Sequence, residues 1–291
     1  MPLSAGAARK GDVDGDGAIN ASDARLCLRC AVGLEEYEKG SSKYSACDVT
    51  NDGIVTAEDA RLILRAAVGL ESISDLPYNI APIADAKVGD VILFGTYEQD
   101  GNDANGKEQL EWLVLAKEGN TLTLITLYAV EQMQFHDSLS KVTWETSSLR
   151  AWLNDAFFNT AFTSSEKAQV LTTTVIAEKN PNYPNSPAGN DTEDKVFLLS
   201  VQEAELYFSD NAYRKCSPTE KLVATGKFTQ SNKPWYAKHN YACNWWLRSP
   251  GMFRDLYVSY VDKGGGIIGG GQVNYPSCDI CVRPVIRITV K

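Results

Sequence analysis

Between residues 20 and 70 the apolar positions fall twice into one helical spacing. Cys27, Cys30, Ala31 and Leu34, then Ile63, Ala66, Ala67 and Leu70, recur at i, i+3, i+4 and i+7. This predicts two amphipathic helices that pack face to face. Segments 23–34 and 59–70 are identical at ten of twelve positions, so the second helix is a copy of the first. The helical pattern stops near residue 71, and Pro77 and Pro82 follow, which marks residues 73–86 as a linker. From residue 88 the period shortens. Strands are predicted over 88–94, 110–115 and 122–128, the last two joined by the turn Lys117-Glu-Gly-Asn120, and again around Trp245, over 256–261 and over 282–290. Helical spacing intervenes at 147–158, with Leu149, Trp152, Leu153 and Phe157 on one face, and at 164–170 and 201–208. Residues 181–194 are rich in Pro, Asn and Gly and predict a long surface loop. The chain therefore divides into a small all-α unit over 1–72, a linker over 73–86 and an α+β domain over 87–291.

Ahead of each helix lies an acidic loop, and the two loops start thirty-six residues apart. The first carries Asp12, Asp14, Asp16, Ala18, Asn20 and Asp23; the second carries Asp48, Thr50, Asp52, Ile54, Thr56 and Asp59. Oxygen side chains fall at loop positions 1, 3, 5, 9 and 12, with glycine (Gly17, Gly53) at position 6. This is the spacing of a calcium loop, in which alternate carboxylates and the position-7 carbonyl supply a hard cation with oxygens. Only ten residues precede Gly11, including Pro2 and Gly6, so each unit is a loop with an exiting helix and no entering one.

These residues make segment 11–70 similar to a type I dockerin, the duplicated calcium-loop module by which secreted bacterial proteins plug into cohesin domains of a cellulosome-type scaffold. The resemblance implies two Ca²⁺ ions, held by Asp12, Asp14, Asp16, the Ala18 carbonyl, Asn20 through water and Asp23, and by Asp48, Thr50, Asp52, the Ile54 carbonyl, Thr56 and Asp59. Thr50 stands where the family usually has Asn or Asp, which implies a weaker second site. The cohesin partner is expected on the outer helix faces, at Ala21, Ser22, Arg25, Leu28 and Arg29 and at their copies Ala57, Glu58, Arg61, Leu64 and Arg65. Because the two sets are nearly one surface, docking in two orientations related by a half-turn is implied, with Ser22 against Glu58 as the main difference.

Charge sharpens this picture. Residues 1–72 carry a net charge of −4, with the acid concentrated in the loops, and so small a core is expected to need the metal to fold. The whole chain, 291 residues at −9, argues against nucleic acid or anionic membrane as partner. No apolar run is long enough to span a bilayer. The first ten residues lack the apolar core of a signal peptide, so the N-terminus is expected to be a mature or trimmed end, and a secreted location follows from the dockerin resemblance alone.

The larger domain carries a second resemblance. Gly89-Asp-Val-Ile-Leu-Phe-Gly95, Glu111-Trp-Leu-Val-Leu115, Thr143-Trp-Glu-Thr146 with Leu149-Arg-Ala-Trp-Leu-Asn154, Asp194-Lys-Val-Phe-Leu-Leu-Ser200, Trp245-Trp-Leu-Arg-Ser-Pro-Gly251 and Val282-Arg-Pro-Val285 resemble an uncharacterised domain family common in secreted proteins of anaerobic gut bacteria. That family is similar in its ending to C-type-lectin-like domains of the formylglycine-generating-enzyme and variable-protein type. The resemblance implies a C-type-lectin-like fold in which the first strand (91–94) lies beside the last (285–290). It also implies a carbohydrate- or protein-binding face between Trp246 and Val282, with Tyr257, Tyr260, Asn274 and Tyr275 as candidate ligand-binding residues on exposed loops. Trp245 and Trp246 read as core, Arg248 and Arg283 as framework ion-pair residues, and the runs 264–266 and 269–271 as hairpin loops.

No catalytic constellation stands out. The two histidines, His136 and His239, lack a partner at metal-ligand spacing, and no Gly-x-Ser-x-Gly elbow occurs. Seven cysteines leave at least one thiol outside any intramolecular pairing. Cys27 and Cys30 read as small apolar residues, and Cys216 with Cys243 and Cys278 with Cys281 as disulfide candidates. Two functions fit: a non-catalytic adaptor that docks to a cohesin and presents a glycan- or protein-binding domain, or a cellulosomal enzyme acting on polysaccharide or protein.

Overall fold

The structure, a computed structural model, describes residues 10–16, 18–39, 41–49, 53–70, 80–232, 234, 236–237, 239–252, 256–274 and 279–290. The N-terminal unit contains helices α1 (Ala21–Ala31), α2 (Ser42–Cys47) and α3 (Ala57–Ala67). Both long helices start on the same device. Asn20 and Thr56 cap the first turn, while Asp23 and Asp59 at the third helical position accept the backbone N–H of the cap residue. Such a capping box satisfies donors that a helix start otherwise leaves unmade, at about 1 kcal/mol each. Both helices also stop alike. The N–H of Leu34 bonds the Arg29 carbonyl and that of Gly33 the Cys30 carbonyl; Leu70 and Gly69 repeat this on Arg65 and Ala66. Gly33 and Gly69 supply the left-handed turn, with φ of 72° and 74°, that this double hydrogen bond requires.

The stop signal corrects one expectation. Leu34 and Leu70 leave the inner face and are 66% and 67% exposed, because each helix ends three residues before them and the glycine turn swings the chain outward. The core forms one turn earlier, from Ala24, Cys27, Ala60 and Ile63 with Val13, Val49 and the α2 residues Ala46 and Cys47. Cys30, Ala31, Ala66 and Ala67 are half-buried at its rim.

The second core begins earlier in the chain than expected. Ile80 bridges Val91, and Ala81 and Ala86 are buried in the larger core, so residues 80–86 belong to the α+β domain and not to a linker. Its elements in order are β1 (Val91–Tyr97), β2 (Glu108–Glu118), β3 (Thr121–Thr126), β4 (Glu131–Gln132), α4 (Ser148–Trp152), a π turn (Leu153–Phe157), α5 (Phe158–Ala161), α6 (Ser164–Lys167), β5 (Thr173–Val175), β6 (Thr192–Asp194) and β7 (Val196–Phe197). There follow α7 (Val201–Tyr207), α8 (Asn211–Arg214), α9 (Glu220–Ala224), β8 (Asn244–Pro250), β9 (Tyr257–Val261), β10 (Ile267–Gln272), β11 (Ile280–Val282) and β12 (Val285–Thr289).

One sheet runs β1-β2-β3-β12-β7 and is antiparallel throughout; the other runs β10-β9-β8-β11-β4, with β8 and β11 parallel. The expected pairing of first and last strands is therefore not formed. A two-residue turn commits β2 to β3 and a ten-residue connection returns β1 onto β2; β12 takes the free side of β3, while Ile80 and Ala81 pair with Val91 on the free side of β1.

Aromatic and charged side chains fill the interior together. Trp112, Trp245 and Trp246 are fully buried, each donating its indole N–H to a carbonyl, of Phe94, Arg214 and Met133 respectively. Arg283, also fully buried, donates from Nε to the Thr126 carbonyl at 2.8 Å and lies 5.1 Å and 5.6 Å from the Trp245 and Phe208 ring centroids. Arg248 pairs with Glu203 and the Leu198 carbonyl. Arg248 is thus the expected framework ion-pair residue, whereas Arg283 is framework without an ion pair, meeting a carbonyl and two ring faces and no carboxylate among the described residues. Cys216 and Cys243 face one another across an isolated bridge as free thiols, and burial pushes both well above the ordinary thiol range. Cys278 lies outside the described residues.

Residues 269–271 are strand, not loop. A Cβ on Gly269 would come 2.0 Å from the Tyr183 ring, and one on Gly271 would come 2.4 Å from the Trp246 ring and 2.8 Å from the Val258 carbonyl. Glycine here admits a close approach of ring to backbone, while run 264–266 does form the turn of the β9–β10 hairpin. Gly269→Ala and Gly271→Ala are each expected to lower stability by about 1–3 kcal/mol through overpacking. Gly270→Ala, whose Cβ meets nothing nearer than 3.4 Å, should be almost silent. Urea melts of the three variants test this, and equal stability of all three contradicts it.

Candidate metal centre and docking surface

The first acidic loop is closed on the start of α1 by one buried carboxylate. Asp23 is fully buried; its Oδ1 accepts the N–H groups of Val13 (2.8 Å) and Asp14 (3.1 Å), and its Oδ2 accepts that of Asn20 (2.9 Å). Within the loop, Asp12 accepts from Gly15, Asp14 from Asp16 and Asp16 from Ala18. These short-range bonds orient the side chains inward, so that carboxylate oxygens of Asp12, Asp14 and Asp16 lie within 4.8 Å of one another. Asp23 is not among that group, since its oxygens turn to the backbone. Each like-charged pair repels by about 1 kcal/mol in water and several times more near a protein surface. A hard divalent cation removes that repulsion, and the donor set is all oxygen.

The second loop repeats the closure. Asp59, fully buried, accepts from the Thr56 N–H (2.8 Å) and hydroxyl (3.0 Å), and Asp48 Oδ2 accepts from the Gly53 N–H at 3.0 Å. The other oxygen, Asp48 Oδ1, is buried with no hydrogen-bond partner among the described residues. A buried carboxylate oxygen left bare costs several kcal/mol unless a cation meets it, and calcium fits that demand. Gly53 takes φ of 82° at loop position 6. Thr50, Asp52 and Gly17 lie outside the described residues. Ala18 and Ile54 are exposed, and the Asn20 side chain accepts from the Ser22 N–H at 2.7 Å. Lys10, buried, donates to the Asp48 carbonyl; desolvation lowers its pKa, against the raising pull of Asp48 and Asp59.

The outer helix faces carry the ten residues expected to meet a partner. Ala21, Ser22, Arg25, Leu28, Arg29, Ala57, Glu58, Arg61 and Leu64 are exposed, and Arg65 is half-buried. Arg61 pairs with Glu58 at 2.5 Å and Arg29 with Glu35 at 3.1 Å. Sequence reasoning missed the rest of the apolar row. Val32 and Val68 lie four residues beyond Leu28 and Leu64 on the same face, and the two copies match closely in exposure: 44% and 46% for the leucines, 58% and 62% for the valines. Continuing the outer row one more turn would have found them, because i and i+4 share a helix face.

In the larger domain the candidate ligand residues are less exposed than expected. Tyr257 and Tyr260 are half-buried, since β9 is flanked by β8 and β10, and the Tyr260 ring packs 6.3 Å from Trp246. Asn274 is half-buried, its carbonyl accepting from Gln134 at 2.8 Å. Tyr275 lies outside the described residues. His136 accepts the Ser148 N–H through Nδ1 at 3.2 Å, a structural role at the start of α4.

Duplicated calcium-type loops, each feeding a capped helix, define a dockerin, and residues 10–66 match the family model described as Dockerin type I domain. Type I dockerin domains bind calcium through duplicated loops and dock to a cohesin domain, which makes this chain a calcium-binding component of an extracellular, cellulosome-type assembly. Residues 118–290 match the family described as Domain of unknown function (DUF6273), and the chain belongs to that family. The domain's first two strands lie almost wholly ahead of the matched region. No curated protein and no solved structure matches the chain. Among the described residues no helix is long and apolar enough to cross a membrane.

Chelation of calcium from the full chain is expected to lower its helical circular dichroism while the β signal persists. Asp12→Asn with Asp14→Asn should remove one of two calorimetric calcium-binding events, and Asp48→Asn with Asp59→Asn the other. Undiminished helicity after chelation contradicts the metal requirement.

Proposed function

We propose that the chain is a non-catalytic adaptor. Its dockerin takes two calcium ions through Asp12, Asp14, Asp16, the Ala18 carbonyl, Asn20 and Asp23, and through Asp48, Thr50, Asp52, the Ile54 carbonyl, Thr56 and Asp59. The α1 and α3 outer faces then meet a cohesin in either of two orientations. The observation that carries this reading is the matched pair of apolar rows, Leu28 with Val32 and Leu64 with Val68, each flanked by arginines. An apolar centre with a charged rim is the make-up of a protein interface. The orientations are not equivalent. Glu58 engages Arg61 in the second copy, while Ser22 offers Arg25 no carboxylate in the first.

The larger domain serves in this reading as the cargo, a module that binds glycan or protein. Support comes from the tyrosine- and glycine-rich stretch from 257 to 275, with Tyr257, Tyr260, Asn274 and Tyr275 as its nearest candidates. A lectin-like fold would set the first strand beside the last, whereas β12 lies beside β3, so the binding reading rests on that stretch alone.

With a cohesin that binds the parent chain, Arg29→Glu or Arg65→Glu alone should cost only a few-fold in affinity, since the other orientation stays open. The double variant should lose a hundredfold or more. Loss of all binding in one single variant indicates one fixed orientation. A glycan array run beside a polysaccharide hydrolysis screen tests the cargo: retention without release of reducing sugar is expected, and release of sugar overturns the adaptor reading in favour of an enzyme.

A further inference from the structure

Segments 23–34 and 59–70 differ at only two positions, and both differences are cysteines of the first copy: Cys27 stands for Ile63 and Cys30 for Ala66. A third cysteine, Cys47, meets them both. It closes α2 one residue ahead of Asp48, where the first loop has Gly11 ahead of Asp12. The Cys27 thiol donates to the Cys47 carbonyl at 3.5 Å, and the Cys47 thiol is in hydrogen-bonding contact with the thiols of both Cys27 and Cys30. All three are free thiols. Cys27 and Cys47 are fully buried, and Cys30 is half-buried at the rim of the core.

Packing accounts for part of this set. Gly11 lies against Ile63, to which a Cβ would come within 3.7 Å, and its N–H bonds the Ala46 carbonyl. One half of the core thus joins a glycine to a large residue and the other half joins two cysteines of intermediate size, a volume-conserving exchange. Volume alone asks for no sulfur, and it gives no reason for Cys30, since Ala66 fills the equivalent half-buried place in the second copy. A thiolate metal cage does not account for the set either, because the three sulfurs do not all lie within 4.8 Å of one another as the first loop's carboxylates do. What the geometry presents is a row of thiols, reachable from solvent at Cys30, closed off at Cys27, with Cys47 touching both.

We propose that Cys30 and Cys47 are a disulfide site that clamps α1 to the approach of the second acidic loop. The oxidant is a low-molecular-weight disulfide. The Cys30 thiolate attacks one of its sulfurs and expels a thiolate; the Cys47 thiolate then attacks the Cys30 sulfur of the mixed disulfide and expels a second. Two protein thiols are oxidised by two electrons in all, and the reagent leaves as two thiols that carry away their protons. Cys27 takes the place of Cys30 by attack on the Cys47 sulfur, an exchange that changes no electron count and returns a free thiol to the rim. The cross-link narrows the unfolded ensemble of the unit. Because ion binding in so small a unit is coupled to folding, less of it is then spent on ordering the chain, and the oxidised protein holds its helices at lower calcium than the reduced one.

The test treats the full, reduced chain with oxidised glutathione at mildly alkaline pH, since burial raises the Cys30 thiol above its ordinary range, and maps the product by tryptic mass spectrometry without reduction. Cleavage after Arg29 separates Cys27 from Cys30. Early in the reaction the peptide that begins at Cys30 should be linked to the one that holds Cys47, with the Cys27 linkage appearing only later. Circular dichroism against buffered free calcium should then show half-maximal helicity at a concentration at least threefold lower than for the reduced chain, and reduction should reverse the shift. Cys30→Ala, which installs the residue of the second copy, should fold normally, slow disulfide formation at Cys47 at least tenfold and abolish the calcium shift over the same reaction time. A Cys30 that stops at the glutathione adduct, a Cys47 that links to neither partner, one calcium midpoint for oxidised and reduced chains, or a shift of equal size in Cys30→Ala overturns the proposal.

Discussion

Two carboxylates that see no water, Asp23 and Asp59, hold the N-terminal unit together. An ionised carboxylate in such a place costs several kcal/mol unless hydrogen bonds or a cation compensate it. Asp23 is met by three backbone N–H groups drawn from both ends of its loop, and Asp59 by the N–H and hydroxyl of Thr56. The same residue thus ends the loop and caps the helix. Loop closure and helix start become one event, which explains how so few buried apolar residues suffice. The outer faces that a partner reads are placed only once that event has occurred.

The sequence was legible where a pattern repeats. Loop spacing, helix positions and the outward row at Arg25, Leu28 and Arg29 follow from two periods seen twice, and the structure places the helices and that row. The boundary of the helices was not so legible, because Leu34 and Leu70 fit the i+7 position as well as a core residue does. Gly33 and Gly69 decide the matter, since two hydrogen bonds and a positive φ outweigh one more buried leucine. In the larger domain the existence of strands was clear and their partners were not. Strand pairing depends on which edges are taken in space, and β12 pairs with β3 while Ile80 bridges the outer edge of β1 at Val91.

Polar residues misled in both directions. Tyr257 and Tyr260 sit in a glycine-rich stretch that looks like an exposed loop, yet they lie on β9 between β8 and β10 and are half-buried. A cavity beside β2 gave no signal at all, because lining residues of β2 and the loop before it meet Pro218, Thr219 and Glu220 from more than a hundred residues on. A period of two along β2 puts Gln109 and Glu111 on the outer face, which in a sequence is indistinguishable from ordinary solvated polarity.

The internal duplication is kept more strictly on the surface than beneath it. Leu28 and Leu64, and Val32 and Val68, agree in exposure to within a few per cent, yet the loops under them diverge. The first gathers three aspartates around one point. The second replaces one of those positions with Thr50 and receives a buried lysine, Lys10, on the carbonyl of Asp48. A lysine cation so close offsets part of the charge that would attract Ca²⁺, and the missing carboxylate removes more. In the proposed reading both differences weaken the second loop's hold on its ion relative to the first. Because each helix is seated by its own loop, that reading makes the face beside the first loop the one expected to persist as calcium falls, so that two surfaces nearly alike differ in the calcium they need.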